Sequence, residues 1–535
     1  MPDRKHAWWL LLILLAFGLR LLIASLLQQP GYTDAYYYAV GAQQLDSGHG
    51  FEEPFIWNYL DPPESVPHPG YLYWMPLTAI LGWLGVKVLG NSFAAMQAPF
   101  VLLSALLPLV AYAVAWDLTG QRKHAVLAGF LAIFPGFYAR VFVLPDNFTP
   151  FALAGSVCLW ATGRGLRDQK PLWFGLAGLT AGLAHLSRAD GLLLAAVALA
   201  AILIQRLCAP REQAQWRGKA WALLAGLALL VSGYLLVMGP WLVRDWLLTG
   251  RLLGGSGIKT IFLTTYDDMF AYGRPLTLEN YLAWGWIEIL KSKVWALLLG
   301  LQRLWIESLL IVLLPFTALG LWRLRRDRLL WPFLLYLPLL LVVMTLVFTF
   351  PGVRGGLFHS GGALLPFLFA TAGPGIEVAL RWAARRFQSW HIRQAWSVFS
   401  AGLVGLAALV MTFSLWQAGV FSGEWNERGQ GYVEIGEWLA EEGEAKTVVM
   451  VGDAPGFTWH TGHMAIAVPN EPLETILAVA DHYGARYLVL DDARPRTTDE
   501  IYAGQTSDPR LILRHTATEA NVVRQLYEIT GIDQP

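Results

Sequence analysis

Asp34 stands in Gly31-Tyr32-Thr33-Asp34-Ala35-Tyr36-Tyr37-Tyr38, about one helical turn beyond a long apolar run. A carboxylate at the boundary between bilayer and water, walled by rings such as that of Tyr37, has its pKa adjusted by partial burial and can face a hydroxyl proton. The same position suits an N-cap, with Thr33 or Asp34 opening a helix over 35–45. Asp146, in Leu144-Pro145-Asp146-Asn147, is a second carboxylate between two apolar runs. It can cap a helix starting near Thr149, but ionisable groups at membrane depth usually face cavities or partners.

Basic residues complete the set. His68 lies in Val66-Pro67-His68-Pro69-Gly70, where two prolines hold it in a rigid extended frame. Arg188, in Leu186-Ser187-Arg188-Ala189-Asp190-Gly191, can pair with Asp190 across a turn or contact a lipid phosphate. Arg354 and His359 share Pro351-Gly352-Val353-Arg354-Gly355-Gly356-Leu357-Phe358-His359, whose glycines let backbone amides approach an anion. Arg354 is the strongest expected phosphate ligand, with Arg188 and His359 beside it and His68 able to serve either role.

The elements that must position these residues follow from composition. Of 535 residues, 55% are hydrophobic and 15% charged, with 25 Trp, and mean hydropathy is +0.45. Such a chain takes the bilayer as its solvent. The net charge of zero conceals an asymmetry: beyond Phe421 there are 19 acidic and 8 basic residues, leaving 20 and 31 in the rest. Cys158 and Cys208 both fall in or beside apolar runs and suggest neither a disulfide framework nor a metal site.

Apolar runs centred on Leu15, Leu106, Ile133, Ala154, Leu179, Ala198, Leu230, Leu310, Leu340, Leu368 and Ala408 are long enough to span. The first, 7–27, reads as a retained signal anchor, because no small-residue cleavage site follows it. A twelfth run, 71–89, decides the topology. The basic clusters at Arg4/Lys5, Arg122/Lys123, Arg164/Arg167/Lys170, 206–219, 323–328 and 381–393 share one side, the cytoplasmic one, only if 71–89 does not cross. The expectation is therefore a polytopic α-helical membrane protein with about eleven transmembrane helices and an interfacial 71–89. Segments 28–95, 144–147, 245–293 and 350–359 would all be extracytoplasmic. The tail 421–535 reads as a small extracytoplasmic α/β domain, with strands at 447–451, 465–468 and 487–490 and a helix over 473–483; residues 1–420 form the membrane domain.

Four motifs in this order, Asp34-Ala35-Tyr36-Tyr37, His68-Pro69-Gly70-Tyr71-Leu72-Tyr73, Asp146 and Leu186-Ser187-Arg188-Ala189-Asp190-Gly191, resemble the GT-C superfamily of polyprenyl-phosphate-dependent glycosyltransferases. The likeness is to its protein-mannosyltransferase-like and aminoarabinose-transferase-like branch. It covers the first 205 residues; beyond them it rests on helix count, the 354–359 turn and the tail, where Thr458-Trp459-His460-Thr461-Gly462-His463 and Tyr487-Leu488-Val489-Leu490-Asp491 look like those of bacterial members. Gly70, Ala189 and Ala35 depart from the pattern.

The resemblance implies juxtamembrane helices in 28–95 and a multi-pass enzyme of the inner membrane. Its donor would be a polyprenyl-phosphate sugar and its acceptor a lipid, glycan or protein hydroxyl, with membrane lipids around it and no nucleic acid. Asp34 would be the base, Asp146 a supporting carboxylate, and Arg354, Arg188, His359, His68 and Tyr37 substrate or phosphate contacts. Phe142, Trp57 and Trp74 are candidates for a prenyl groove. The one cofactor that the resemblance implies is a divalent cation at Asp34, although Ala35 stands where many members carry an acidic residue and so withholds a ligand from that site. His460 and His463 suit a recognition or lid role better than a metal site. The alternatives are a lipid-linked-sugar flippase, which would place charges near the midplane and show internal repeats, and a non-catalytic assembly protein.

Overall fold

The computed structural model describes residues 4–207, 216–387, 391–444, 447–519 and 522–531. Cys208, most of the basic stretch 206–219 and part of 381–393 lie outside the described residues.

The chain opens with α1 (Arg4–Leu26), α2 (Thr33–Ser47), α3 (Leu77–Leu89), α4 (Phe93–Ser104), α5 (Leu107–Thr119), α6 (Arg122–Ile133), α7 (Phe148–Asp168), α8 (Leu172–Ser187), α9 (Leu192–Leu207) and α10 (Trp216–Thr249). By length and composition, six helices among the described residues can cross a membrane, or seven if the bent pair around Gly136 is one span. That is fewer than the expected eleven, for local reasons. α8 and α9 are apolar but short, α7 ends in Arg164, Arg167 and Asp168, and the run around Leu310 is not a continuous helix. There a π turn (Leu304–Ser308) gives way to positive φ at Leu310 (49°) and Ile311 (62°) before the chain resumes as Leu314–Leu324. Irregular backbone at such depth is tolerated where protein surrounds it, and Leu309 and Leu310 are buried in the main core.

Two opposite ends of the bundle can be told apart by their ion pairs. At one end Asp117 accepts from Arg164 (2.8 Å) and lies 3.5 Å from Arg167, while Glu377 gathers Lys123, Arg323 (3.1 Å) and Arg381 (3.7 Å). Arg122 sits 5.3 Å over the ring of Trp8, near the start of α1. Of the basic clusters expected on one side, those represented by Arg122, Lys123, Arg164, Arg167, Arg323 and Arg381 therefore share one end. Asp34, Asp146, Arg188 and His359 collect at the other. α3 is consistent with this parity: its thirteen residues rise about 20 Å, short of the roughly 30 Å hydrocarbon core, and it packs on α2 and α4. Glu377 is buried while its cationic partners are partly exposed. Glu377→Ala, by stranding three like charges, is expected to cost about 2 kcal/mol, read as a lowered Tm in detergent.

The remaining polar mass is a sheet. β1 (Glu52–Glu53) pairs antiparallel with β3 (His68–Pro69). β2 (Phe55–Ile56) instead joins β4 (Val448–Val451), β5 (Met464–Ala467), β6 (Ala485–Leu490), β7 (Leu511–Glu519) and β8 (Val522–Ile529) in the order β2-β5-β4-β6-β8-β7. The first four run parallel, and β8 and β7 close the sheet antiparallel. The three expected strands and the helix Leu473–Tyr483 are all present. The β7–β8 hairpin and the strand taken from the first loop are additions. Because β2 comes from residues 55–56, the sheet and the membrane domain are stitched together.

The junction is tight. Gly31 has φ +81°, and a Cβ there would come within 2.5 Å of the Trp425 ring. Trp425 Nε1 donates to the Gln29 carbonyl at 3.1 Å, and Gln29 Nε2 donates to the carbonyls of Trp425 (2.9 Å) and Arg428 (2.7 Å). The turn that delivers Asp34 is thus held from both domains.

Candidate active site

α2 begins at Thr33, and Tyr32 occupies the N-cap with no side-chain cap bond. Asp34 is therefore not the cap that its position allows; it projects from the first turn. Asp146 is not a cap either. α7 starts at Phe148 after Asn147, again without a side-chain cap, and the fully buried Asp146 accepts from the Asn147 N–H and the Tyr32 hydroxyl. His359 faces both acids: its Nε2 lies 3.6 Å from Asp34 Oδ2 and 3.7 Å from Asp146 Oδ2. The imidazole stacks on Phe148 with centroids 3.7 Å apart. Its Nδ1 lies 2.9 Å from the Gly355 carbonyl, a pure acceptor, so Nδ1 carries the proton. Nε2 then turns towards two carboxylates and, although buried, has no hydrogen-bond partner.

Burial first, and then the neighbouring Asp146, push the Asp34 carboxyl up to about 6, against the pull of His359, Arg188 and Arg354. That value suits a base working near neutrality. The orphaned Nε2 and the two acids place three ligand atoms within 4.8 Å of one another, a hard–borderline donor set that fits a divalent cation.

Arg188 donates Nε to Asp190 Oδ1 at 2.9 Å, as the turn motif suggests, and Asp190 accepts from Ser360. Arg354 rises from a π turn, Gly352–Gly356, and its guanidinium lies 4.7 Å over the Tyr266 ring. The turn is possible because Gly352 has no side chain: a Cβ would meet the Met344 carbonyl at 1.8 Å. At Gly356 a Cβ would lie 3.8 Å from Arg188 Nη2, so both arginines border the same turn. Asp34, Arg188, Arg354 and His359 line one cavity of about 1080 Å³, with Trp57 and Trp74 also in its wall.

Three expected contacts are elsewhere. His68 does not line the cavity: its Nε2 is 3.1 Å from the Phe55 carbonyl and 3.7 Å from Glu53. Tyr37 is buried among Phe55, Tyr71 and Trp74 and donates its hydroxyl to Glu53. Phe142 is core beneath Arg20. The rigid proline frame serves the β1–β3 pairing rather than a ligand. Glu53, unremarkable in sequence, is the hub, also accepting from the Tyr71 N–H at 2.7 Å. Glu53→Ala strands two buried donors and is expected to destabilise by about 2–4 kcal/mol, measured by thermal unfolding. His460 lies 3.1 Å from the Tyr36 hydroxyl, burial lowering its pKa to about 4, and neither it nor His463 joins a ligand cluster among the described residues.

Residues 67–237 match the family model described as dolichyl-phosphate-mannose-protein mannosyltransferase. The whole chain is similar in structure to ArnT from Cupriavidus metallidurans. In the apo state the TM-score is 0.58 at 12% identity, with 100% of both chains covered. Bound to undecaprenyl phosphate it is 0.56 at 14% identity, with 99% of both covered. The chain has the GT-C fold. No curated protein matches it in sequence, and at these identities the likeness to ArnT is one of fold. The sequence missed Glu53, Tyr32, Asn147 and Asp453 as parts of this site or its frame; only Asp453 carried a signal, a Gly-Asp pair closing a β-branched run.

Proposed function

We propose that the chain transfers a sugar from a polyprenyl-phosphate-linked donor to an acceptor hydroxyl, with inversion, on the extracytoplasmic face of the inner membrane. The observation that carries this reading is one large cavity lined by Asp34, His359, Arg188 and Arg354, with the fully buried Asp146 behind His359, at the end of the bundle opposite the basic clusters. Two features support the lipid-phosphate donor: the sequence match at 67–237 and a likeness to a protein whose structure holds undecaprenyl phosphate.

The acceptor hydroxyl loses its proton to Asp34 as its oxygen attacks the anomeric carbon from the face opposite the phosphate. The bond from that carbon to the phosphate oxygen breaks, and the phosphate leaves as an anion. Arg354 holds it, with Arg188 beside, since a guanidinium donates to two oxygens at once. Asp146, locked by Tyr32 and the Asn147 amide, keeps His359 and Asp34 in register. Asp34, Asp146 and His359 would hold a divalent cation, whose charge would offset the paired carboxylates and orient an oxygen ligand.

Purified protein given a radiolabelled polyprenyl-phosphate sugar together with an extract of envelope lipids and glycans as acceptor is expected to release the lipid phosphate and form a product of inverted configuration. A retained configuration overturns the single displacement, and absence of turnover overturns the enzyme reading. Orientation is tested separately: a cysteine at Arg122 is expected to be shielded from impermeant reagent added outside, and labelling there would reverse the topology.

A further inference from the structure

One part of the cavity wall belongs to the loops of the sheet. In an open parallel sheet the loops leaving the carboxyl ends of the strands form the ligand crevice. β4, β5 and β6 run parallel, and their carboxyl ends lead into Gly452-Asp453, Asn470 and Ala493 to Arg496, all of which line the cavity that contains Asp34. The crevice of the α/β domain therefore opens onto the carboxylate–histidine cluster instead of facing solvent.

Its polar groups are available. Asp453 accepts from the Gly456 N–H at 3.3 Å, and the Thr33 side chain is near enough to its carboxyl to favour the charged form. Thr33 and Asp34 are consecutive, so one helical turn touches the sheet crevice with one residue and the Asp146–His359 pair with the next. Asn470 is anchored by its backbone, whose N–H donates to the Phe270 carbonyl at 2.9 Å. Among the described residues its side-chain amide has no hydrogen-bond partner, and Arg496 has no ion-pair partner. Another part of the lining differs in kind: Arg188 and Arg354 stand there with Leu193, Met344 and Phe348, cations beside hydrocarbon.

We propose that the carboxyl ends of β4, β5 and β6 form the acceptor subsite, where Asp453 and Asn470 hydrogen-bond hydroxyls of a sugar residue and Arg496 closes the rim. The inference rests on Asp34 as base and on the Arg354 wall as the donor side. A carboxylate, an amide and a guanidinium at fixed separation match the alternating hydroxyls of a carbohydrate. A lipid tail would desolvate them without return. A peptide backbone is read along a free strand edge, which β4, β5 and β6 do not offer, since each is flanked on both sides. A sugar seated there brings a hydroxyl to Asp34 from the side opposite the departing phosphate, as inversion requires.

The test uses the full chain in its native membranes, with p-benzoylphenylalanine replacing Arg496 in one version and Phe348 in another, irradiation, and mass spectrometry of the adducts. The expected result is a glycan adduct at 496 and a polyprenyl adduct at 348. Asp453→Asn or Asn470→Ala, added to the 496 version, is expected to cut the glycan adduct about tenfold, the loss of one hydrogen bond to a sugar hydroxyl. Undecaprenyl phosphate, as donor-side probe, still binds both variants, which excludes misfolding as the cause. A polyprenyl adduct at 496, or no adduct there while 348 captures lipid, overturns the acceptor assignment. Failure of 348 to capture lipid overturns the glycosyl-transfer reading itself, and the acceptor assignment with it.

Discussion

Asp34→Asn lowers kcat by about 10²–10⁴, the usual worth of a positioned general base, while binding of undecaprenyl phosphate and the Tm in detergent stay near wild type. The amide keeps the shape of the carboxyl and removes its capacity to take a proton. A variant that turned over normally would remove Asp34 from the chemistry. The wild-type pH profile should carry the same signature. A base whose pKa is pushed up to about 6 is active only when deprotonated, so kcat/KM falls about tenfold per pH unit below 6 and levels off above it. Asp146 raises the Asp34 pKa and Arg354 lowers it. Asp146→Asn should therefore move the acid limb to lower pH, and Arg354→Gln should move it to higher pH. Opposite shifts from two neighbours are difficult to obtain from a loss of folding.

Arg354→Gln has a second and larger consequence. Losing a charge-assisted contact to phosphate costs about 1.5–3 kcal/mol, so affinity for undecaprenyl phosphate should fall roughly tenfold to a hundredfold. The readout is a direct binding titration of the lipid phosphate. Because Arg188 is already committed to Asp190 at 2.9 Å, Arg188→Gln should weaken binding less. Equal effects from the two substitutions would mean that they act as a unit. No effect from Arg354→Gln would remove the phosphate from this wall.

Much of the plan was legible in the chain because membranes impose simple rules. Basic-residue parity predicted that Lys123, Arg164, Arg167, Arg323 and Arg381 share an end, and the ion pairs around Asp117 and Glu377 bear that out. Leu310 shows where run length misleads: apolar composition reports the solvent a segment tolerates, not the backbone geometry that neighbours impose. His68 shows the same for motifs. Two prolines announce rigidity, but whether a rigid histidine meets a ligand or a neighbouring strand depends on a partner fifteen residues away, Glu53.

By itself, then, the sequence determined the bilayer as solvent, the two polarities of the bundle, the α/β tail and the candidacy of Asp34, Asp146, Arg188, Arg354 and His359. These are properties of composition and local pattern. Tertiary structure alone decided that Asp34 and Asp146 face one imidazole from 325 and 213 positions away along the chain, that Glu53 and not a substrate holds Tyr37 and His68, and that a two-residue strand from the first loop ties the sheet to the membrane domain. Those are meetings of distant segments. They are set by which buried polar groups can satisfy one another once the helices pack, and no local pattern encodes them.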